Sequence, residues 1–146
     1  MYSLEPYHYR FSIVKCKVGI SEVLTRLHGK AILITEVPLD RIISIKQLTY
    51  VLHNYFDMMY IKKWIEKPEL RLLALLLQKT QIKDVINELA RSKDRAYLVV
   101  VEEGVNISEI LSDICVKVDV PLDASTDVDF FETFTEFRLK LEKERK

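Results

Sequence analysis

Two short segments of the chain combine residue types that bind nucleic acid. The first, Tyr60–Trp64 (YIKKW) with Lys67 after it, places cations between aromatic rings. Such a segment can hold a phosphate backbone while a ring stacks on a base, which is worth about 1–3 kcal/mol per base. Lys62, Lys63 and Trp64 are therefore candidate RNA contacts. A structural alternative stays open, in which Trp64 anchors a connector to the core while the lysines remain in water.

The second segment is Lys79–Lys83 (KTQIK), which predicts the start of a helix. A helix N-terminus offers unpaired N–H groups and a positive dipole end, and both suit a phosphate. The candidate RNA contacts here are Lys79, Thr80, Gln81, Ile82 and Lys83. Alternatively, Thr80 caps its own helix and has no further role.

Residues suited to catalysis are sparse. The three glycines are isolated, so they build neither a dinucleotide fingerprint nor a phosphate loop. His53 and Asp57 are one helical turn apart and could orient an imidazole, but no nucleophile is implied beside them. Glu102 and Glu103 are neighbours at the end of a strand and point to opposite faces, so they do not converge on one metal ion. We expect a protein that is not an enzyme and has no cofactor and no metal.

Charge is distributed unevenly along the chain although the formal net charge is zero. Residues 60–101 carry nine basic and five acidic groups, whereas residues 102–146 carry six basic and twelve acidic groups. An anionic partner should therefore contact the basic middle third. No apolar run approaches the ~20 residues that a membrane span requires, and the first residues do not resemble a secretion signal. We expect no membrane partner.

The two cysteines, Cys16 and Cys115, are far apart in sequence and form no metal or redox motif. Each lies in a strand-like run of alternating residues, which predicts two buried free thiols. We accordingly expect a cytoplasmic location.

Hydrophobic periodicity predicts the elements that carry these segments. Strands are predicted near residues 10–18, 31–35, 95–101 and 114–120, and helices at 21–27, 44–60 and 68–77 and from residues 80, 108 and 127. This order predicts one α/β domain over residues 1–146, with a small mixed sheet and helices packed around it. Phe131 lies outside the apolar stripe of the last helix, which suggests that this helix covers a partner as well as the core.

The segment Leu73–Leu89 (LALLLQKTQIKDVINEL) resembles the signature helix-turn-helix of a known family, the kinase-binding subunit of the KEOPS complex (the PRPK-binding-protein family). Tyr97–Glu103 (YLVVVEE) is similar to the family's following strand with its acidic end. The coarse resemblance covers roughly residues 10–140. Low glycine with abundant isoleucine and lysine suits an archaeal source.

The resemblance implies a non-catalytic subunit that docks on the small atypical kinase of that complex. It also implies support for threonylcarbamoyladenosine synthesis on tRNA, with recruitment of tRNA through its 3′ CCA end. Thr80, Gln81 and Ile82 match the tRNA-facing turn of the signature. The sequence departs from the family at Leu75, where a basic residue is frequent, and at Gln78, where a glycine is frequent. These changes remove a phosphate contact and limit close backbone approach.

Kinase binding is expected from the short helix after the first strand and from the last helix. The residues predicted for it are Val23, Leu24, Leu27, Phe131, Phe134 and Arg138. The alternative function is a stand-alone RNA-binding module that uses the basic middle third. A third possibility, an enzyme that uses His53, Asp57 or Glu102 with a metal, is the least supported.

Overall fold

The computed structural model describes residues 1–58 and 65–144. Within these residues the chain forms five strands and six α-helices, which amount to 49% helix and 22% strand. The predicted α/β class is therefore confirmed. The chain divides into two compact units, one formed by Met1–Val37 with Asp94–Asp119 and the other by Pro38–Lys93 with Val120–Lys146.

The first unit contains the sheet. Its strands are β1 (Tyr2–Leu4), β2 (Tyr9–Cys16), β3 (Ala31–Pro38), β4 (Arg95–Glu102) and β5 (Cys115–Lys117), in the order β1-β2-β4-β3 with β5 also paired to β2. On one edge, β2 pairs with β4, and on the other it pairs first with β1 and then with β5. These pairings are antiparallel, whereas the sequence suggested strands of both directions.

Two helices complete this unit, α1 (Ile20–Leu27) and α5 (Ile107–Leu111). Val23 and Leu27 of α1 are fully buried against side chains of β2, β4 and α5. Leu98, Val99, Val100 and Val101 of β4 are also buried, which agrees with the nearly continuous apolar sequence of this strand. Asn106 caps α5 by accepting a hydrogen bond from the N–H of Glu109 at 3.1 Å.

Cys16 and Cys115 are joined in a disulfide, so the prediction of two free thiols is wrong. The two residues are direct partners in the β2–β5 register, with their Cα atoms 4.0 Å apart. Neither strand could have revealed this pairing alone, because the register joins residues separated by 99 positions. The argument for a cytoplasmic location that rested on free thiols is removed with it.

The second unit is helical. It contains a short 3-10 helix (Leu39–Arg41) and the helices α2 (Ile45–Asp57), α3 (Pro68–Leu77), α4 (Ile82–Arg91) and α6 (Asp127–Glu144). The six consecutive residues Leu72–Leu77 of α3 are all buried, so this helix forms much of the core of the unit. Pro68 begins α3 as the sequence predicted. An N–H at the first position of a helix has no partner within the helix, so proline, which lacks it, loses no hydrogen bond there.

A buried polar group joins the starts of α2 and α6. Ser44 caps α2 by accepting the N–H of Gln47 at 3.0 Å, which confirms the predicted start of this helix. Its hydroxyl donates to Asp127 Oδ1 at 2.6 Å, and Asp127 Oδ2 accepts the N–H of Ala124 at 2.8 Å. Ser44 is 0% exposed and Asp127 3%, so these partners replace the water that both side chains lose.

Across residues 1–58 and 65–144, none of the helices is both long enough and apolar enough to cross a membrane.

Candidate functional site

The turn between α3 and α4 has a well-defined backbone. Gln78 follows α3 in left-handed conformation, with φ 56° and ψ 50°. Its N–H donates to the carbonyl of Leu75 at 3.3 Å, and the N–H of Lys79 donates to that of Ala74 at 3.0 Å. This pair of bonds defines a Schellman ending, whose left-handed position favours glycine.

Helix α4 begins without a side-chain cap. Its N-cap residue is Gln81, whose side chain makes no capping hydrogen bond, so the helix begins one residue later than the start at Thr80 that the sequence predicted. Gln81, Ile82 and Lys83 are all exposed at this end. The first turn thus carries one exposed cation, Lys83, at the positive end of the helix dipole, with Asp84 beside it as an opposing charge.

The cations predicted near this turn differ in how accessible they are. Lys79 lies 3.9 Å from Glu88 Oε2, and Arg41 forms an ion pair with the other oxygen of the same carboxylate. Glu88 therefore partly neutralises Lys79, which weakens its case as a phosphate contact. Lys62, Lys63 and Trp64 lie outside the residues that the structure describes.

A cavity of about 360 Å³ opens beside Gln78 in the second unit, within the range of small-ligand sites. A hydrogen bond from Gln78 Nε2 to Thr133 Oγ1, 3.0 Å long, joins two of its walls. It is lined by Asp40, Arg41, Ile43, Gln47, Leu76, Leu77, Gln78, Phe130 and Thr133. The carboxamide of Gln47 is already engaged by the N–H of Ile43 and the carbonyl of Arg41. The ring of Phe130 and the carboxamide of Gln78 are therefore the groups that could contact a flat polar group such as a nucleobase. The sequence alone missed Arg41, Gln47 and Phe130, because they come from three separate elements.

On α1, only one of the three predicted kinase contacts is accessible. Val23 and Leu27 are 0% exposed and belong to the core of the first unit, so their assignment to a docking surface is corrected. Leu24 is 44% exposed, and Ile20, one turn before it, is 40% exposed. The outward face of α1 therefore carries a pair of apolar side chains at i and i+4 spacing.

On α6, the predicted contacts mostly serve the helical unit itself. Phe134 is 0% exposed, so it cannot contact a partner and this assignment is corrected. Phe131 is half-buried and packs against Tyr50 in a tilted ring pair, with ring centroids 4.5 Å apart. Arg138 donates to Asn54 Oδ1 and, at 3.0 Å, to Glu142 Oε1. The apolar residues of α6 that remain well exposed are Val128 and Leu139.

The acidic end of β4 has a neighbour that the sequence did not indicate. Glu102 and Glu103 are both exposed, and Glu103 Oε2 lies 3.5 Å from Nδ1 of His8. Glu5 approaches the same nitrogen at 3.3 Å. The i, i+3 spacing of Glu5 and His8 was visible in the sequence, whereas the approach of Glu103 depends on strand pairing.

Comparison with known proteins identifies no related protein. A scan against protein-family models, a search of curated proteins and a search of solved structures each find no match.

Proposed function

We propose that this chain is a non-catalytic binding subunit of the KEOPS type, which docks on a small atypical kinase and helps to recruit tRNA. Under this proposal it supports threonylcarbamoyladenosine synthesis without performing a chemical step. The observation that carries the proposal is the α3–α4 turn, where the segment that resembles the family signature meets an exposed helix start and a cavity lined by polar and aromatic side chains.

The kinase-docking part is supported by the outward face of α1. Ile20 and Leu24 expose 40% and 44% of their surface. A partner that covers them would remove this apolar surface from water, which stabilises the complex. Of the residues predicted on α1, Leu24 remains a candidate contact, and Ile20 joins it. Phe131 is a poor choice for testing docking, because its replacement by Glu would also remove the ring contact with Tyr50.

The tRNA part is supported by the geometry at the start of α4. Lys83 is exposed there in the first turn of the helix, where a cation can contact phosphate oxygens without reading sequence. The cavity near Gln78 is large enough for one base of a 3′ end. Lys62 and Lys63 are proposed to supply further charge in place of the family cation that Leu75 replaces.

The cytoplasm is the proposed location, since tRNA recruitment and kinase binding take place there. A structural disulfide is unusual in cytosolic proteins of mesophiles but common in intracellular proteins of hyperthermophiles. The disulfide between Cys16 and Cys115 therefore agrees with this location if the source is hyperthermophilic.

The deciding experiment is affinity purification of the tagged protein from its own cells, with mass spectrometry of the proteins that accompany it. We expect an atypical kinase and a metal-dependent threonylcarbamoyl transferase. Leu24→Glu should reduce recovery of the kinase, because a charge on the outward face of α1 must be desolvated on docking. Leu122→Glu is the matched control, since Leu122 is 70% exposed and lies outside α1.

The RNA contribution is measured separately, by fluorescence anisotropy with a tRNA that carries or lacks its terminal CCA. We expect weaker binding without CCA and weaker binding of the Lys83→Glu variant, whereas Lys93→Glu, at the other end of α4, should bind as the wild type does. Recovery of RNA but of neither protein partner in the purification would contradict the KEOPS proposal and favour a stand-alone RNA-binding module.

A further inference from the structure

Three side chains of types that bind metal ions converge at one end of the sheet, away from the proposed RNA site in sequence. Glu5 and His8 lie in the turn between β1 and β2, and Glu103 follows β4. The β2–β4 register pairs Tyr9 with Glu102, which brings the two segments together. The N–H of Glu103 donates to the carbonyl of His8 at 3.0 Å. This backbone hydrogen bond holds together the two segments that carry the His8 and Glu103 side chains.

The separations of the three polar atoms suit a single ion. Nδ1 of His8 lies 3.3 Å from Glu5 Oε2 and 3.5 Å from Glu103 Oε2. All three atoms lie within 4.8 Å of one another. In a tetrahedral site with metal–ligand bonds of about 2.0–2.2 Å, neighbouring ligand atoms are about 3.4 Å apart. Two of the three edges therefore have the length a bound ion requires, and rotation of an exposed carboxylate can adjust the third.

We propose that Glu5, His8 and Glu103 form a binding site for a divalent transition-metal ion, for which Zn²⁺ is the appropriate probe. Imidazole nitrogen and carboxylate oxygen are both ordinary ligands of Zn²⁺. Two carboxylates balance the charge of the ion, and the neutral imidazole supplies the third bond. The side chains of His8, Glu5 and Glu103 are 74%, 54% and 52% exposed, so further coordination positions remain open to water or to a ligand.

A purely structural role predicts something different. In that case His8 only pairs with two carboxylates at the surface, an arrangement that contributes little to stability, and one Zn²⁺ ion per chain is not expected to bind. The two accounts are separated by measuring metal binding directly.

The experiment is isothermal titration of Zn²⁺ into the tag-free, full-length protein under non-reducing conditions, which keep Cys16 and Cys115 joined. We expect one ion per chain. Loss of even an outer partner of a metal ligand costs about 10- to 100-fold in affinity, so His8→Ala and Glu103→Gln should each weaken binding at least tenfold. His28→Ala and Glu102→Gln are matched controls, since both residues are exposed and neither belongs to the cluster.

X-ray absorption at the zinc edge provides a second readout that does not depend on variants. A first shell of nitrogen and oxygen alone is expected. The proposal is overturned if the wild type binds no Zn²⁺, if His8→Ala binds as tightly as the wild type, or if sulfur appears in the first shell. Circular dichroism of each variant checks that the exposed substitution leaves the fold intact.

Discussion

Gln78 has a backbone conformation that is unfavourable for any residue with a side chain. Its φ of 56° is left-handed, a conformation that disfavours residues other than glycine by about 1–2 kcal/mol. The side chain recovers part of this cost through its hydrogen bond to Thr133. The same carboxamide lines the cavity beside the turn, a contact that glycine could not supply.

The first prediction compares two replacements of this residue. Gln78→Gly and Gln78→Ala both lose the bond to Thr133, but only alanine keeps the left-handed strain. We expect the glycine variant to have the higher free energy of unfolding, by about 1 kcal/mol after allowing for the greater entropy of its unfolded chain. Urea denaturation measures the difference, and an alanine variant at least as stable as the glycine variant would contradict this account of the turn.

The second prediction concerns the carboxyl group of Asp113, to which Arg26 Nη1 donates at 2.8 Å and 2.7 Å. This hydrogen bond holds the pKa of Asp113 below its ordinary range. A carboxyl whose pKa is lower in the folded state stabilises the fold above its unfolded value, and that contribution is lost as the pH falls through the folded value. Carbon-13 NMR titration should show a low Asp113 midpoint that rises towards that of an unpaired aspartate in Arg26→Ala. An unchanged midpoint in the variant would show that Arg26 does not cause the shift.

At the scale of elements, the third prediction tests the polar junction between α2 and α6. Asp127→Ala leaves the buried hydroxyl of Ser44 and the N–H of Ala124 without their acceptor. Unpaired buried groups cost about 1–3 kcal/mol each, so we expect a loss of about 2–4 kcal/mol in the free energy of unfolding. Asp129→Ala, also in the first turn of α6 but exposed, should cost less than about 1 kcal/mol. Equal losses in the two variants would show that helix-dipole charge, rather than the junction, accounts for the effect.

The elements that the sequence predicted well are those with a long apolar pattern. Periodicity located α2, α3, α6 and β4 because several turns or alternations repeat the same signal. Strand β1 was missed, since three residues are too few to establish alternation. Start residues were less predictable: Ser44 was correct, whereas α4 begins after Gln81 rather than Thr80.

The candidate site was predictable only where its residues are consecutive. The turn around Gln81 was found from one segment, but the walls of the cavity come from separate parts of the chain. Residues chosen for docking by their apolar character, such as Val23 and Phe134, proved to be the most buried ones. One sequence does not distinguish an apolar residue that faces the core from one that faces a partner, because both satisfy the same helical period.

At the scale of the whole molecule, the disulfide contributes to the stability of the fold in a way that the hydrophobic pattern did not predict. It joins residues 99 positions apart, and a crosslink stabilises a fold largely by restricting the unfolded chain, typically by about 2–4 kcal/mol. The fourth prediction is that dithiothreitol, or the Cys16→Ser variant, lowers the urea midpoint accordingly. A midpoint that is the same in oxidised and reduced protein would mean that the bond adds nothing to stability.

The same bond turns most of the chain into a closed covalent loop. Residues 38–93, which supply α2, α3 and α4, lie entirely between Cys16 and Cys115 in sequence. A protease that cuts once anywhere in this interval therefore opens the loop without releasing a fragment. The nicked chain keeps its full mass on a non-reducing gel and separates into two pieces only when the sulfurs are reduced, so the helical segment remains tethered to the sheet even after its backbone has been broken.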